Sequence, residues 1–536
     1  MPNDFTSSGP STEAVRAPAG AGVLCTVDRL ASEAGAELLR AGGNAVDAAI
    51  AASAALAVTT PHMCGMGGDL FALVHLGTGP PAVLNASGRA GSGADPDRLR
   101  AEGHREMPFR FDVRSAPVPG CVDGWVALHK RFGRRSLADV LEPARRLATD
   151  GFPASPFLAF MVPSLDGVNG CEELANRHFA EGERVLRPGV ARMLTAVADG
   201  GRAGFYEGEF GETLLQVGAG EYAPADLEHP NADWVEPLGL RVWDHAVWTV
   251  PPNSQGYLTL AAAAIAERVA GADLPDVSDP SWPHLLVEAA RLAGADRDAV
   301  LSDRADGAGL ISDERLDAAA HRFRADRVAE LVGPQREGGT IYLCAVDGEG
   351  CGVSLIQSNA SGFGCHVAVP GTGVLLHNRG IGFSLEPGHP AEYGPGRRPP
   401  HTLSPALVTR RDGSLRAVLG TMGGDSQPQV VLQMLARLLV ADEHPGEVIG
   451  APRWVLTTPG NRGFDTWKDP AAQIVRLEAH APPAWADGLR DRGHRVEVAG
   501  ADPAGFGHAH CIERSADGTL TGAADPRAIV GAAVVG

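Results

Sequence analysis

Apolar and polar positions in the first part of the chain predict both helices and strands. An apolar run at 22–27 is typical of a strand, and the apolar residues of 29–41 recur at helical spacing. The segment 45–58 predicts a second helix, with so much alanine that it must pack very closely against its neighbours. A glycine loop at 65–68 then leads into a predicted strand at 70–75.

The middle of the chain, about 120–330, has mainly helical patterning, with one predicted strand at 246–250. The stretch 305–339 differs, because it is polar, rich in Arg and Glu, and has few large apolar residues near its end. Such a composition is typical of an exposed linker.

After this linker the period of the pattern changes to two. Residues 340–347 and 352–357 predict a hairpin with mostly apolar faces, of the kind that is buried between layers. A second hairpin is predicted at 407–409 and 415–419, followed by an apolar helix at 429–440. Helices before the strands and helices after them predict sheets sandwiched by helices.

Composition excludes several classes of function. The 46 basic and 65 acidic residues give a net charge of −19, which repels phosphate backbones and anionic lipid, so neither nucleic acid nor a membrane is an expected partner. Only Lys130 and Lys468 are lysines, which argues against pyridoxal enzymes and P-loop ATPases. The eight scattered cysteines contain no C-x-x-C pair, so we expect neither a disulfide framework nor a zinc site.

The first residues, 1–17, are polar and are predicted to form a disordered leader. Neither a signal peptide nor an apolar stretch long enough for a membrane span is recognisable in the sequence. We therefore expect a cytoplasmic protein.

Common catalytic motifs are missing: there is no G-x-S-x-G elbow, H-E-x-x-H pair or Walker loop. The 18 histidines show no metal-ligand spacing, and a structural or surface role is the expectation for His62, His377 and His401. We expect no metal and no cofactor.

One candidate nucleophile remains, Thr340, which follows Gly338-Gly339 at the junction of the linker and the hairpin. A threonine hydroxyl needs a base beside it, and an N-terminal threonine supplies that base as its own α-amine. The chain would have to be cut before Thr340, and the two glycines permit the strained backbone that such a cut requires. The alternative is a threonine that simply begins a strand after a Gly-Gly turn.

Several segments resemble the γ-glutamyltransferase family of N-terminal nucleophile hydrolases, in order and spacing over most of the chain. They are 41–49 (AGGNAVDAA), 65–68, 118–120, 142–144, 151–152, 251–256, Ser358, 363–364, 398–399, 403–405, 423–424, 451–454 and 525–527.

The resemblance implies an α+β fold, a four-layer αββα sandwich, made as one precursor that cuts itself between Gly339 and Thr340. The large subunit would be 18–339 and the small subunit 340–536, and the two would stay associated. Within the small subunit, Thr340 would be the nucleophile, and Ser358 would stand where the family has a second hydroxyl. Gly423 and Gly424 match the glycines whose amides hold the oxyanion, although Gly-Gly before a helix is also an ordinary turn.

The substrate-holding residues match the family poorly. Arg89 is displaced by two positions from the family arginine that clamps the glutamyl α-carboxylate, and the aspartate that binds the α-ammonium aligns with Gly382. Arg379 replaces a nearby glutamine, and His401 and Thr402 replace two serines. Thr402 could substitute for a serine, and His401 could instead add positive charge. We therefore expect an anionic acyl group without a free α-amino group, with Arg379 and Arg89 as carboxylate partners. The alternative for Arg379 is a structural ion pair.

Three functions remain open at this point. The first is a self-processing hydrolase or acyltransferase that cleaves an amide in a small molecule, such as a γ-glutamyl compound like glutathione, oxamate or a glutaryl amide. The second uses the same nucleophile to hydrolyse a carbon–carbon bond, as relatives in alkylproline antibiotic biosynthesis do. The third is an unprocessed binding protein that kept the fold alone.

Overall fold

A computed structural model describes residues 13–271, 273–329, 340–459, 466–469, 471–500 and 505–536. The strands in these residues are β1 (Val15–Ala17), β2 (Val23–Thr26), β3 (Asp69–His75), β4 (Ala82–Ala86), β5 (Phe152–Pro153), β6 (Arg184–Val185), β7 (Asp233–Val235), β8 (Leu238–Val242), β9 (His245–Thr249), β10 (Ile341–Val346), β11 (Gly352–Ser358), β12 (Ala368–Val369), β13 (Val374–Leu375), β14 (Ala406–Thr409), β15 (Leu415–Thr421), β16 (Trp454–Thr457), β17 (Ile474–Leu477), β18 (Val496–Val498), β19 (Ala509–Arg514), β20 (Leu520–Ala524) and β21 (Ala532–Val535).

The α-helices of the same residues alternate with these strands. They are α1 (Arg29–Arg40), α2 (Ala45–Thr59), α3 (Pro96–Ala101), α4 (Cys121–Phe132), α5 (Leu137–Asp150), α6 (Pro156–Met161), α7 (Pro188–Tyr206), α8 (Glu209–Val217), α9 (Pro224–Glu228), α10 (Tyr257–Ala270), α11 (Ser281–Gly294), α12 (Arg297–Val300), α13 (Gly307–Leu310), α14 (Asp313–Ala320), α15 (Gln427–Leu439), α16 (Pro445–Gly450) and α17 (Pro483–Asp491). The predicted α+β class is confirmed.

Two seven-stranded antiparallel sheets form the centre of the molecule. One has the order β1-β20-β19-β15-β14-β9-β8, and the other has the order β21-β2-β10-β11-β3-β4-β7. A core that includes Tyr342, Ile356 and Val418 lies between them. On the outer faces, α2 packs on β10 and β11, while α10 and α15 pack on β8 and β15. Helix, sheet, sheet and helix are therefore stacked as four layers.

The hairpin predicted after the linker is confirmed as β10 and β11, which pair with Ile341 opposite Gln357. Every residue of both strands is buried. Tyr342 and Cys344 face the other sheet, whereas Ile341 and Leu343 face the helices. Because both faces are covered, the strands consist mostly of apolar residues without polar alternation.

The alanine-rich helix α2 is buried along its whole length, as its sequence predicts. Asn44 caps it by accepting hydrogen bonds from the N–H groups of Val46 and Asp47. Small residues let α1 approach closely, since a Cβ placed on Gly35 would lie 2.7 Å from the carbonyl oxygen of Ala48. This pair of helices covers the sheet that carries β10 and β11.

Two sequence predictions were wrong in part. Val15–Ala17, placed in a disordered leader over 1–17, form β1 because they pair with Leu520, Thr521 and Gly522; residues 1–12 lie outside the described residues. The predicted linker 305–339 begins with the helices α13 and α14, which are held by the buried side chains of Leu310 and Leu316. Residues 330–339 lie outside the described residues. Within the described ranges, no helix is both long enough and apolar enough to cross a bilayer.

Candidate active site

Thr340 and Ser358 lie side by side at one end of the hairpin. Thr340 directly precedes β10 and Ser358 is the last residue of β11, so the register brings the two residues together. Their hydroxyl oxygens are 3.2 Å apart, and both residues are buried. The predicted nucleophile therefore has a second hydroxyl within hydrogen-bond distance.

The hydroxyl of Ser358 also makes hydrogen bonds with groups other than Thr340. Its oxygen accepts hydrogen bonds from the backbone N–H of Ala360, at 2.8 Å, and from Nη2 of Arg379, at 3.0 Å. A serine hydroxyl has two acceptor positions and one proton, so these bonds leave the O–H group of Ser358 as a donor.

Arg379 begins a short 3₁₀ helix, Arg379–Gly382, and its side chain is only 2% exposed. Besides Ser358, it donates to Oδ2 of Asp69 at 3.0 Å and to Oγ1 of Thr402 at 3.1 Å. Its Nε, Nη1 and Nη2 atoms are thus all engaged by protein groups. The expected carboxylate partner lies beside Ser358, but its geometry is that of a structural ion pair.

Asp69 fixes Arg379 and His401 by accepting a hydrogen bond from each. It is the first residue of β3, pairs in register with Ser358, and is fully buried. Burial alone would raise the pKa of Asp69, but His401 and Arg379, with the ring of His377 3.4 Å away, together hold that pKa well below its usual value. An ionised Asp69 therefore balances the buried charge of Arg379.

His401 is a neutral donor to this carboxylate. Its Nδ1 accepts a hydrogen bond from the N–H of Leu403, so the proton is on Nε2, 2.7 Å from Oδ2 of Asp69. Burial, aided by the nearby Arg379, lowers the pKa of His401 to about 4. A positive charge on His401 is disfavoured, because the ring is fully buried and its Nδ1 accepts a hydrogen bond from Leu403.

Gly423 and Gly424 lie between β15 and α15. Gly423 has φ +131° and Gly424 has φ +58°, a region that side chains rarely adopt, and a Cβ on Gly423 would lie 2.4 Å from Oγ of Ser426. Among the described residues, neither backbone N–H has a hydrogen-bond partner. Two unpaired amides just before a helix form a favourable site for a negatively charged oxygen.

Packing between the sheets brings these glycines toward the nucleophile. A Cβ on Gly420, near the end of β15, would lie 2.4 Å from the ring of Tyr342, near the start of β10. Thr340 is two residues from Tyr342, and Gly423 is three from Gly420. Gln255 adds a second link, because its Nε2 donates to the carbonyl oxygens of Thr402, at 3.0 Å, and Gly424, at 3.1 Å.

Arg89 is not part of this cluster. Its Nη2 is 2.5 Å from Asp233, which also binds Arg398 at 2.7 Å, and its side chain is one-third exposed. None of its hydrogen bonds within the described chain reaches Thr340, Ser358 or Arg379. Gly339, on the other side of the predicted cut, lies outside the described residues.

Sequence reasoning missed Asp69 and Gln255. Asp69 follows the glycine loop, where an acidic residue at the start of an otherwise apolar strand is a recognisable signal. No sequence pattern marks Gln255 as a site residue, because the two carbonyl groups that it binds are more than 140 positions away in the chain.

Comparisons with known proteins give one consistent result. The family model described as gamma-glutamyltranspeptidase matches residues 31–535. The glutathione hydrolase-like YwrD proenzyme of Bacillus subtilis (strain 168) is 36% identical over 515 residues, which cover 93% of this chain and 95% of that protein. The oxamate amidohydrolase proenzyme of Klebsiella pneumoniae is 35% identical, over 94% of this chain and 97% of that protein.

A solved structure agrees with these sequence matches. The crystal structure of a cephalosporin acylase from Bacillus halodurans superposes with a TM-score of 0.88 at 32% identity, and covers 100% of this chain and 98% of that one. The likeness therefore includes the whole described fold as well as the sequence.

Proposed function

The chain belongs to the gamma-glutamyltranspeptidase family, and from this premise we propose that it is a self-processing hydrolase or acyltransferase with Thr340 as an N-terminal nucleophile. Its relatives are named as hydrolases and acylases, most of them as proenzymes. The observation that carries the proposal is the 3.2 Å contact between the hydroxyl groups of Thr340 and Ser358 at the start of the buried hairpin.

Processing comes first in this proposal. The Thr340 hydroxyl attacks the carbonyl carbon of Gly339, the peptide nitrogen becomes an amine, and water hydrolyses the resulting ester. The products are a carboxylate on Gly339 and a free α-amine on Thr340. The two subunits, which end at Gly339 and begin at Thr340, stay associated because β2 and β3 from the first flank β10 and β11 from the second in one sheet.

The same hydroxyl then attacks the substrate. The α-amine of Thr340 takes the proton from the hydroxyl and returns it to the leaving amine. Ser358 donates a hydrogen bond at the nucleophile, and the amides of Gly423 and Gly424 stabilise the negative oxygen of the tetrahedral intermediate. Water, or an acceptor amine, then releases the acyl group from Thr340.

Arg379 has a positioning role in this account. Asp69 and Thr402 fix its guanidinium, and the guanidinium in turn fixes the hydroxyl of Ser358. A rigid second hydroxyl keeps the nucleophile in one orientation, which is a large part of catalysis by preorganisation. The substrate is proposed to be an amide with an anionic acyl group, in line with relatives named for oxamate and glutathione, both of which carry a carboxylate.

Substitution of Thr340 tests the proposal. The Thr340→Ala variant is expected to remain one chain on a denaturing gel and to hydrolyse no acyl anilide. The matched Thr340→Ser variant keeps a hydroxyl and should retain cleavage at a reduced rate. Normal activity of Thr340→Ala would overturn the proposal.

A further inference from the structure

A cavity of about 540 Å³ lies beside the candidate active site. Its wall includes Gly382, Pro400, Arg297 and Lys468. Gly382 ends the short helix that Arg379 begins, and Pro400 directly precedes His401 and Thr402. The volume is in the range of sites that hold a small molecule.

Arg297 connects this cavity to the proposed oxyanion site. Its Nη2 donates to Oε1 of Gln255 at 3.4 Å. Gln255 in turn binds the carbonyl oxygens of Thr402 and Gly424. One side chain therefore separates Arg297 from Gly424, the residue whose backbone N–H is proposed to stabilise the reacting carbonyl.

The guanidinium of Arg297 has unused donors in spite of its burial. The residue is 6% exposed, and its Nε has no hydrogen-bond partner among the described residues. Asp425 is the nearest counter-ion, but its Oδ1 is 3.8 Å from Nη2 of Arg297, too far for a hydrogen bond. Buried polar groups in folded proteins are normally paired, whereas this guanidinium, on a residue that lines the cavity, keeps a donor with no partner among the described residues.

A carboxylate is the partner that fits this wall. The planar guanidinium matches the two oxygens of a carboxylate, and Gly382 contributes no anion that would repel it. Glu106, Asp298 and Glu386 also line the cavity. Arginine and lysine side chains line it in at least equal number, so the wall as a whole does not repel an anion.

We propose that Arg297 recognises a carboxylate on the acyl group of the substrate, held in this cavity. The inference rests on the proposed function, because the acyl carbonyl must sit at Gly423 and Gly424. It replaces Arg379 and Arg89 as the expected carboxylate partners, since Arg379 is engaged within the protein and Arg89 is bound to Asp233.

Paired substrates test the role of Arg297. Glutaryl p-nitroanilide carries the acyl carboxylate, and glutaramoyl p-nitroanilide replaces it with a neutral amide of the same shape. For Arg297→Gln we expect kcat/KM on the glutaryl substrate to fall about 10- to 100-fold, mainly through KM, and to change less than about threefold on the glutaramoyl substrate. Arg297→Lys should lose less than Arg297→Gln. The exposed Arg304→Gln serves as the control and should match the wild type.

An equal loss on both substrates would show a merely structural role and overturn the inference, as would no loss on either. Butyryl 4-aminobenzoate and butyryl anilide test for a carboxylate on the leaving group instead. If the wild type prefers the first and Arg297→Gln removes that preference, the inference is overturned.

Binding provides a readout that is independent of turnover. Titration calorimetry of the wild type should show glutarate binding at least about tenfold more tightly than the neutral diamide glutaramide, and Arg297→Gln should abolish the difference. Equal binding of the two ligands by the wild type would overturn the inference. A denaturing gel of each variant distinguishes the failure of this inference from the failure of the proposed function. Two subunits without a preference for the carboxylate would contradict only the role of Arg297, whereas a single uncut chain in the wild type would contradict the role of Thr340.

Discussion

The hydroxyl of Ser358 illustrates how single residues determine this site. It accepts hydrogen bonds from Ala360 and Arg379 and lies 3.2 Å from the hydroxyl of Thr340. A threonine at this position would present the same oxygen and proton, with an added methyl group.

Two substitutions of Ser358 therefore distinguish the effect of its hydroxyl group from the effect of its side-chain volume. Ser358→Ala is expected to lower kcat on an acyl anilide about 10- to 100-fold, because a hydrogen bond at the reacting oxygen is lost. Ser358→Thr, the control, should stay within about threefold of the wild type. Equal activity of Ser358→Ala and the wild type would show that Ser358 does not act on the nucleophile.

Asp69 is expected to matter for stability as well as for the site. Asp69→Asn leaves Arg379 buried without its counter-ion, which we expect to cost about 3–5 kcal/mol of the free energy of unfolding. The control is Asp97→Asn, because Asp97 pairs with Arg100 while 87% exposed and should contribute less than about 1 kcal/mol. Chemical denaturation of the three proteins at pH 7 measures both values, and equal stability of Asp69→Asn and the wild type would contradict the buried pair.

The same carboxylate gives a pH dependence of known sign. The folded-state pKa of Asp69 lies below the ordinary value of 3.8, so its stabilising effect is present above that value and is lost as the pH falls through the lower folded-state pKa. The difference in stability between the wild type and Asp69→Asn should therefore shrink below about pH 4. A constant difference from pH 7 to pH 3 would show that Asp69 titrates normally.

Among the helices and strands, the sequence predicted the ones that neighbouring elements cover on all faces. The hairpin of β10 and β11 and the helix α2 are examples, since their apolar or alanine-rich runs leave few alternatives. The strand β1 was missed, because its partner β20 lies some 500 positions away and its own three residues give no periodicity. At the site, Thr340 was a candidate from its place after two glycines, and Ser358 and the glycine pair came from the resemblance, whereas the Asp69 cluster depends on register between distant strands.

The close contact of α1 and α2 makes a prediction at this scale. Gly35→Ala should destabilise the protein by about 1–3 kcal/mol, because the new Cβ would meet the carbonyl oxygen of Ala48 at 2.7 Å. Gly200 in α7 is the matched control. Apart from its chain neighbours and its own helix backbone, no described atom lies within 4 Å of a methyl group placed on its Cα, and alanine there should be neutral or slightly stabilising. Thermal or urea denaturation compares the two, and an equal effect of both substitutions would contradict the packing argument.

At the scale of the whole molecule, burial of histidines sets the response to mild acid. The pKa of each of the following is lowered to about 3 or 4, with burial as the largest cause: His62, His284, His366, His401, His494 and His510. On unfolding each regains an ordinary pKa near 6.5, so the unfolded state binds more protons between about pH 4 and 6.5.

Stability should therefore fall as the pH is lowered from 7.5 to 5. Urea denaturation midpoints at several pH values in this range measure the effect, with His401→Gln expected to reduce the slope slightly because one of the contributing groups is removed. A midpoint that does not change between pH 7.5 and 5 would contradict the burial of these imidazoles.

The four-layer arrangement also explains how a cut chain stays together. The sheet β21-β2-β10-β11-β3-β4-β7 contains strands that precede Thr340 in the chain and strands that follow it. After cleavage before Thr340, each layer therefore stays packed against its core. The central claim is that this cleavage creates the catalytic amine.

Intact-mass spectrometry of the purified, active protein tests that claim most directly. We expect two masses, one of them that of residues 340–536 with Thr340 first, and we expect amide hydrolysis only in preparations that contain both. A single uncut chain that turns over amide substrates would contradict it.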